Sequence, residues 1–229
     1  MSRTILAVGG HIGDMDLTAG PTLAKRVLEG DRAIILACTY GERGHPSLSP
    51  VAYLPQKIRE GTEFARGIGA EFRMLDYSDG FLPGDDTAAG QIADIIRAEK
   101  PEVVITHWKN SIHRDHSRTA KITRRAIYLA ALPMEHVLPT HRVTQLLHAD
   151  NWEDSEGFTP NLYVPIPDAA FDRWRAAIQG QAFARGETYG FRYIDYYTAL
   201  MTVKGCLTGQ SRTCGFVVGD SENFVLAGP

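Results

Sequence analysis

Two short stretches of this 229-residue chain carry side chains of the kind that bind divalent metals. One is His11-Ile-Gly-Asp14-Met-Asp16 near the N-terminus, and the other is His113-Arg-Asp115-His116 midway along. An imidazole and a carboxylate three residues apart on a tight turn can converge on one ion, and glycines let the backbone make that turn. Two histidines three apart lie on one side of a helical turn, with Asp115 placed to orient one of the rings. Two histidines and one carboxylate leave a fourth position open for water, which is the pattern of a catalytic zinc. Water bound there ionises near neutral pH and can attack a carbonyl. Each stretch also has a plainer reading. Asp14 or Asp16 would cap the next helix with His11 as a polar loop residue, and the second stretch would be a solvated turn starting another helix.

Such residues matter only if the fold brings them together. Apolar runs at Thr4–Val8, Ala33–Cys38 and Val103–Thr106, and a weaker one at Phe72–Leu75, suit parallel strands covered on both faces. Helical spacing joins Leu17, Pro21, Ala24 and Leu28, with Thr18 as the expected cap. It also joins Ile58, Thr62, Ala65 and Gly69; Ile92, Ile95 and Ile96; and Ala120, Thr123, Ile127 and Ala130. Alternating strands and helices predict a Rossmann-like, doubly wound α/β fold with a mostly parallel sheet. Ligands then bind beyond the carboxyl ends of the strands. The loops Gly9–Asp16, Thr39–Pro50, Tyr77–Asp86 and His107–His116 lie there, and the two metal-type stretches fall in the first and last of them.

Beyond Leu132 prolines interrupt the chain. Val143–His148 reads as another strand, and Asp168–Ala184 and Arg192–Cys206 as helices. With no linker-like stretch or repeat, we expect one domain over residues 1–229: a core to about residue 132 and an elaboration over 133–229.

Composition narrows the function classes. A net charge of −3 with mixed signs gives no reason to expect nucleic acid. No apolar run reaches the roughly 20 residues of a membrane helix, and the N-terminus lacks the apolar core of a secretory signal. Cys38, Cys206 and Cys214 have no zinc-knuckle spacing, and Cys38 ends an apolar run as a buried small residue would. The expectation is a cytoplasmic protein with a small-molecule substrate and no nucleic-acid or membrane partner; a homo-oligomer remains open. A dinucleotide loop at Gly9, Gly10 and Gly13 fits poorly, because G-x-G-x-x-G is absent and the second strand ends without an acidic residue.

The paired motifs resemble those of the LmbE/PIG-L family of zinc-dependent N-acetylglucosaminyl deacetylases. That family carries His-Pro-Asp-Asp-x-Glu after its first strand and His-Pro-Asp-His after a later one. Thr39-Tyr-Gly-Glu-Arg-Gly44, Lys57-x-x-Glu60 before Ile68-Gly69, Asp79-Gly80, and Ser221-Glu222-Asn-Phe224 are similar to family segments too. The resemblance implies His11, Asp14 and His116 as zinc ligands, although two histidines and a carboxylate also suit Fe2+. It implies His113 at the oxyanion or leaving amine, Asp115 as the acid orienting a histidine, and Asp16 where many members have Glu. Arg43 and Lys57 become substrate-side cations at the mouth, against the plainer reading of surface charge. The activity implied is hydrolysis of a C–N bond, with an N-acetylated amino sugar or related metabolite as substrate.

One departure matters. The family's first motif has a general-base Asp where this chain has Gly13, and its prolines are Ile12 and Arg114 here. Three explanations follow. Another carboxylate (Asp16, Asp115 or Glu42) acts as base, the substrate brings its own base or is activated enough to need none, or the chain keeps the metal and has lost deacetylation, acting as a ligand-binding protein or on another bond. The loops Gly44–Pro55, Leu132–His141 and Asn151–Pro160 would set specificity, and Trp152 either stacks on a sugar face or packs.

Overall fold

A computed structural model describes residues 2–133 and 137–219. Ser221-Glu222-Asn-Phe224, part of the resemblance above, lies outside the described residues. Seven strands form one sheet: β1 (Thr4–His11), β2 (Arg32–Thr39), β3 (Glu71–Tyr77), β4 (Val103–Thr106), β5 (Gln145–Ala149), β6 (Leu162–Pro165) and β7 (Thr213–Val218). Their order is β3-β2-β1-β4-β5-β7-β6. The first five are parallel, while β7 runs antiparallel to both β5 and β6. This is the expected α/β class, and it adds two strands that the sequence did not announce.

The order reverses at β1, which has β2 on one side and β4 on the other. A crevice opens beyond the strand ends at such a switch point. Both metal-type stretches leave the sheet there. Threonines tie these ends together: Thr106 Oγ1 donates to Val8 O at 3.0 Å, and Thr39 Oγ1 to Gly10 O at 2.9 Å.

Helices cover both faces, which explains why β1 and β2 are continuous apolar runs. One face carries α4 (Asp86–Glu99) and α5 (Arg114–Ala131), packed through Ile92, Ile96, Ile122 and Ala126. The other carries α2 (Gly20–Leu28), α3 (Pro50–Ile68), α6 (Asp168–Ile178) and α7 (Tyr193–Thr208). Phe171 and Trp174 of α6 share a buried cluster with Leu23 of α2 and Phe64 of α3. Burying side chains of this size contributes about 1.5–3 kcal/mol each, so the C-terminal elaboration shares the core of the sheet.

The helix expected from Leu17 to Leu28 is two helices. Short α1 (Asp14–Thr18) is followed by α2, and Ala19 stands between them. Pro21 does sit in the first turn of α2. Thr18 does not cap that helix, because its hydroxyl donates within α1 to Asp14 O at 2.9 Å. The helix around Ile58 begins earlier than its apolar spacing, at Pro50, capped by Ser49 and closed by Gly69. The run read as Asp168–Ala184 stops at Ile178. Among the described residues no helix is long and apolar enough to cross a membrane.

Candidate metal centre

β1 ends in Gly-Gly-His, and Gly13 then turns the chain into α1 at φ 111°, a conformation that favours glycine. The turn returns Asp14 to its own strand end, where Oδ2 accepts the His11 N–H at 2.7 Å. Asp14 therefore does not serve as the helix cap proposed in the plainer reading: the N-cap is Gly13, with no side-chain capping bond. From the second stretch, His113 is the N-cap of α5 and His116 follows one turn in, fully buried. Gly10 lets that helix approach; a Cβ there would lie 3.1 Å from His116 Cδ2.

Three donor atoms converge as a result. His11 Nδ1 is 3.2 Å from Asp14 Oδ2, His116 Nε2 is 3.3 Å from the same oxygen, and the two ring nitrogens are 3.2 Å apart. Tetrahedral zinc with bonds of about 2.0–2.1 Å holds its donors about 3.3 Å from one another. The triangle fits such an ion, and fits it with the residues expected from the motifs. The His11 and His116 rings are tilted 59° to each other, their centroids 5.1 Å apart. His107 also stands close, with Nε2 3.1 Å from Asp14 Oδ2. Its ring is stacked on His116 at 4.0 Å and 14°, and Asp14, His107 and His116 form a second group of donors close enough to hold an ion. His107 Nε2 also takes the Gly10 N–H at 3.0 Å.

The remaining polar groups hold these donors in place. Asp154, wholly buried, bridges two rings: Oδ1 takes His116 Nδ1 at 3.0 Å and Oδ2 takes His107 Nδ1 at 2.8 Å. This directs His116 Nε2 toward the triangle, the usual work of a carboxylate behind a metal-binding histidine. Behind His11, Nε2 meets Asp79 Oδ1 at 3.1 Å and Asp115 Oδ2 at 3.6 Å. Asp115 thus faces His11, and its Oδ2 also accepts the Gly80 N–H at 2.7 Å. Burial works against charge on the Asp14 carboxyl, but His116 and His11 outweigh it and hold it well below the ordinary range. Burial likewise opposes charge on His11, and Asp14, Asp115 and Asp79 raise it nonetheless.

A cavity of about 300 Å³ opens over this centre, walled by His11, Asp14, Lys57, His113, Trp152 and Tyr193 among others. A larger groove of about 750 Å³ runs outside α5, past Arg114, Lys121 and Tyr128; it takes in none of the three donors. His113 Nδ1 accepts the Asp115 N–H at 3.3 Å, which leaves Nε2 as the ring's donor. Lys57 lies in the wall but is buried; its ammonium donates to Ile12 O at 2.5 Å and sits 4.4 Å over the Phe183 ring. Burial lowers its basicity against the pull of Asp14, Asp16, Glu60 and Asp79. Arg43 is outside the cavity, half-exposed, donating to Ser78 Oγ at 2.9 Å beside the Phe81 ring.

None of the three carboxylates weighed as a substitute base lines the cavity. Asp16 is buried in α1 and accepts from Gln181 Nε2 at 2.5 Å; burial pushes its carboxyl up to about 7. Asp115 is committed to Gly80 and His11, and Glu42 accepts from Ser78 and from the Asp79 N–H. The sequence reading assigned no role to His107, Glu153 or Asp154, and named Asp79 only within the family-like segment Asp79-Gly80. His107 had a signal, since it directly follows β4. Glu153 and Asp154 follow β5, in a loop read only for specificity. Glu153 lines the cavity, where burial raises its carboxyl.

Comparison with known proteins gives a family match, PIG-L: GlcNAc-PI de-N-acetylase, over residues 6–127. A mycothiol S-conjugate amidase of Streptomyces coelicolor is 34% identical over 155 residues, covering 56% of this chain and 52% of that protein. A 1D-myo-inositol 2-acetamido-2-deoxy-alpha-D-glucopyranoside deacetylase of Streptomyces avermitilis is 26% identical over 214 residues, covering 80% of this chain and 69% of that protein. The chain thus spans from about half to about two thirds of the length of these curated relatives. Among solved structures, the 4-carboxy-2-hydroxymuconate hydratase of Pseudomonas putida KT2440 superposes with a TM-score of 0.86 at 18% identity, covering 95% of this chain and 96% of that one. At that identity the likeness speaks for the fold.

Proposed function

The chain belongs to the PIG-L (LmbE) family, and from that premise we propose that it is a metal-dependent amidohydrolase removing an N-acyl group from an amino sugar or a related small molecule. The observation that carries this reading is the triangle of His11 Nδ1, Asp14 Oδ2 and His116 Nε2, with edges of 3.2–3.3 Å, at the floor of a cavity. These three residues would hold the ion, zinc or Fe2+. When bound, such an ion polarises an acyl oxygen and lowers the pKa of a water.

The protein's own side chains supply the rest. Asp79 and Asp115 steady His11 from behind, and Asp154 steadies His116. His113, with its proton directed to Nε2, donates to the oxygen that becomes negative as the acyl carbon turns tetrahedral. Lys57 neutralises part of the acidic floor and fixes Ile12 O, so its part is to hold the Ile12–Gly13 turn. Asp16, tied to Gln181, belongs to the same frame. Trp152 and Tyr193 offer flat apolar faces of the kind that stack on a sugar ring. Arg43 lies beyond the wall, where a larger substrate would extend.

The test is amine release by zinc-loaded protein from two compounds. One is 1D-myo-inositol 2-acetamido-2-deoxy-alpha-D-glucopyranoside, and the other is a mycothiol S-conjugate. Turnover of either, abolished in His116→Ala, supports the reading. Zinc-loaded protein inert on both and on a wider panel of N-acyl amino sugars leaves the ligand-binding alternative standing.

A further inference from the structure

Two faces of α5 differ in their chemistry. His113 and His116 look into the cavity over the metal centre, and the outer face carries the groove of about 750 Å³. Arg114, Arg118 and Lys121 follow one another at helical spacing along that outer face, and Arg142 adds a cation from the segment before β5. Arg114, Lys121 and Arg142 are exposed, and none of the described residues lining the groove is Asp or Glu. Beneath this rim the floor is apolar, built on Val143 and Leu146. An apolar floor rimmed by charge marks an interaction site. The sign of the rim selects an acidic occupant. A simple anion would leave the floor bare, and a neutral apolar ligand would gain nothing from the rim.

The chain itself runs into this groove. Gly219, directly after β7, is one of its lining residues, and the Gly219 N–H donates to Leu146 O at 2.9 Å. Residues 220–229 then read Asp-Ser-Glu-Asn-Phe-Val-Leu-Ala-Gly-Pro. Two carboxylates come first, at 220 and 222, and three consecutive apolar side chains follow, at 224–226. That is the composition the groove selects, in one segment tethered at its edge. Ten residues reach about 33 Å when extended, whereas the 18 residues of α5 span about 27 Å. Reach therefore sets no limit. Tethering also gives the segment an effective concentration on the order of millimolar, so weak contacts suffice to seat it.

We propose that residues 220–229 occupy the groove outside α5 of their own chain. Asp220 and Glu222 lie against its cations, and Phe224, Val225 and Leu226 lie on its floor. The segment is then a strap that ties α5, the helix carrying His113 and His116, to the antiparallel end of the sheet. This arrangement does not depend on which bond the metal centre cleaves.

Carbodiimide joins a carboxylate to a lysine amine only when the two are in contact. The full-length protein is treated with it as an equal mixture of unlabelled and 15N-labelled chains, and the joined peptides are mapped. The expected product links residues 220–222 to Lys121 or Lys109, both in the groove wall, within one chain. Brief chymotrypsin digestion gives a second measure, through the cut after Phe224. In full-length Lys121→Glu/Arg142→Glu, shown by circular dichroism to be folded, that cut should come roughly 10-fold faster than in wild type. Exposed ion pairs are each worth a few fold, and reversal adds repulsion. Links found only between labelled and unlabelled chains overturn the proposal in favour of a contact between two copies. Absence of the link, or equal cutting after Phe224 in the two proteins, overturns it outright.

Discussion

The ring of Phe183 fills the space that any side chain on Gly13 would need: a Cβ built there would lie 2.5 Å from Phe183 Cζ and 2.7 Å from Cε1. The two positions are coupled in a second way, since Lys57 caps the Phe183 ring and donates to the carbonyl just before Gly13. Restoring the family's carboxylate with Gly13→Asp is therefore expected to fail. The backbone at φ 111° penalises a side chain, and the ring must move. Overpacking and strain each cost about 1–3 kcal/mol. Chemical denaturation should show Gly13→Asp destabilised by roughly 2–4 kcal/mol, with Phe183→Ala in the same chain recovering only the overpacking part. A Gly13→Asp protein as stable as wild type would show that the ring yields freely.

The centre divides into groups that would touch an ion and groups that aim them, and the two should respond differently. His116→Ala removes a corner of the triangle, and elemental analysis after zinc loading should find the metal lost. Asp154→Asn leaves all three donors but weakens the hold on His116 Nδ1. Supporting residues of this kind typically cost 10- to 100-fold in affinity. A competition titration against a chelator reads that difference. Zinc affinity unchanged in Asp154→Asn would mean that packing alone orients His116.

How much of this was legible in the sequence follows from how local each feature is. His11 and Asp14 sit on one turn directly after an apolar run, and His113 and His116 on a helical turn a short loop after another, both runs suiting buried parallel strands. Spacing and strand ends were therefore enough to bring them together. Gly13 and Phe183 are 170 positions apart and meet only because α6 packs on α2 and α3. No periodicity records that. Asp154 is fully buried, yet it lies in Asn-Trp-Glu-Asp, which reads as a polar loop. Its burial depends on two histidines from other segments. β6 and β7 were missed because a short strand such as Thr-Cys-Gly-Phe-Val-Val at a sheet's antiparallel end has no flanking helix pattern to announce it.

The cysteines offer a check on the core that is independent of the site. Cys38, next to last in β2, lies in the buried cluster beneath α4 and α5, and burial pushes its thiol up to about 12. Cys214 of β7 is buried as well, its thiol pushed up to about 11, while Cys206 on α7 is exposed. A raised thiol pKa keeps the unreactive protonated form through pH 8 and 9. Native protein should therefore react with a thiol reagent at one cysteine promptly, and at all three only after denaturation. Peptide mapping should place the prompt label on Cys206. Rapid labelling of Cys38 would mean that the sheet is not covered by α4 and α5 as described.

An ion that binds the folded triangle and not the unfolded chain must stabilise the fold, because the donors come from residues 11, 14 and 116 and are scattered when the chain unfolds. The linkage is about 4 kcal/mol when free metal stands at a thousand times its dissociation constant. For a chain of this length 1 kcal/mol shifts the melting temperature by about 2–4 °C. Zinc should therefore raise the melting temperature of chelator-stripped wild type by roughly 8–16 °C, and leave that of His116→Ala almost unmoved. The shift should grow with zinc concentration rather than saturate at one equivalent, since excess free metal continues to draw on the folded state. A stripped protein that melts at the same temperature with and without zinc would mean that these three donors do not bind the ion, and the hydrolase reading would fall with them.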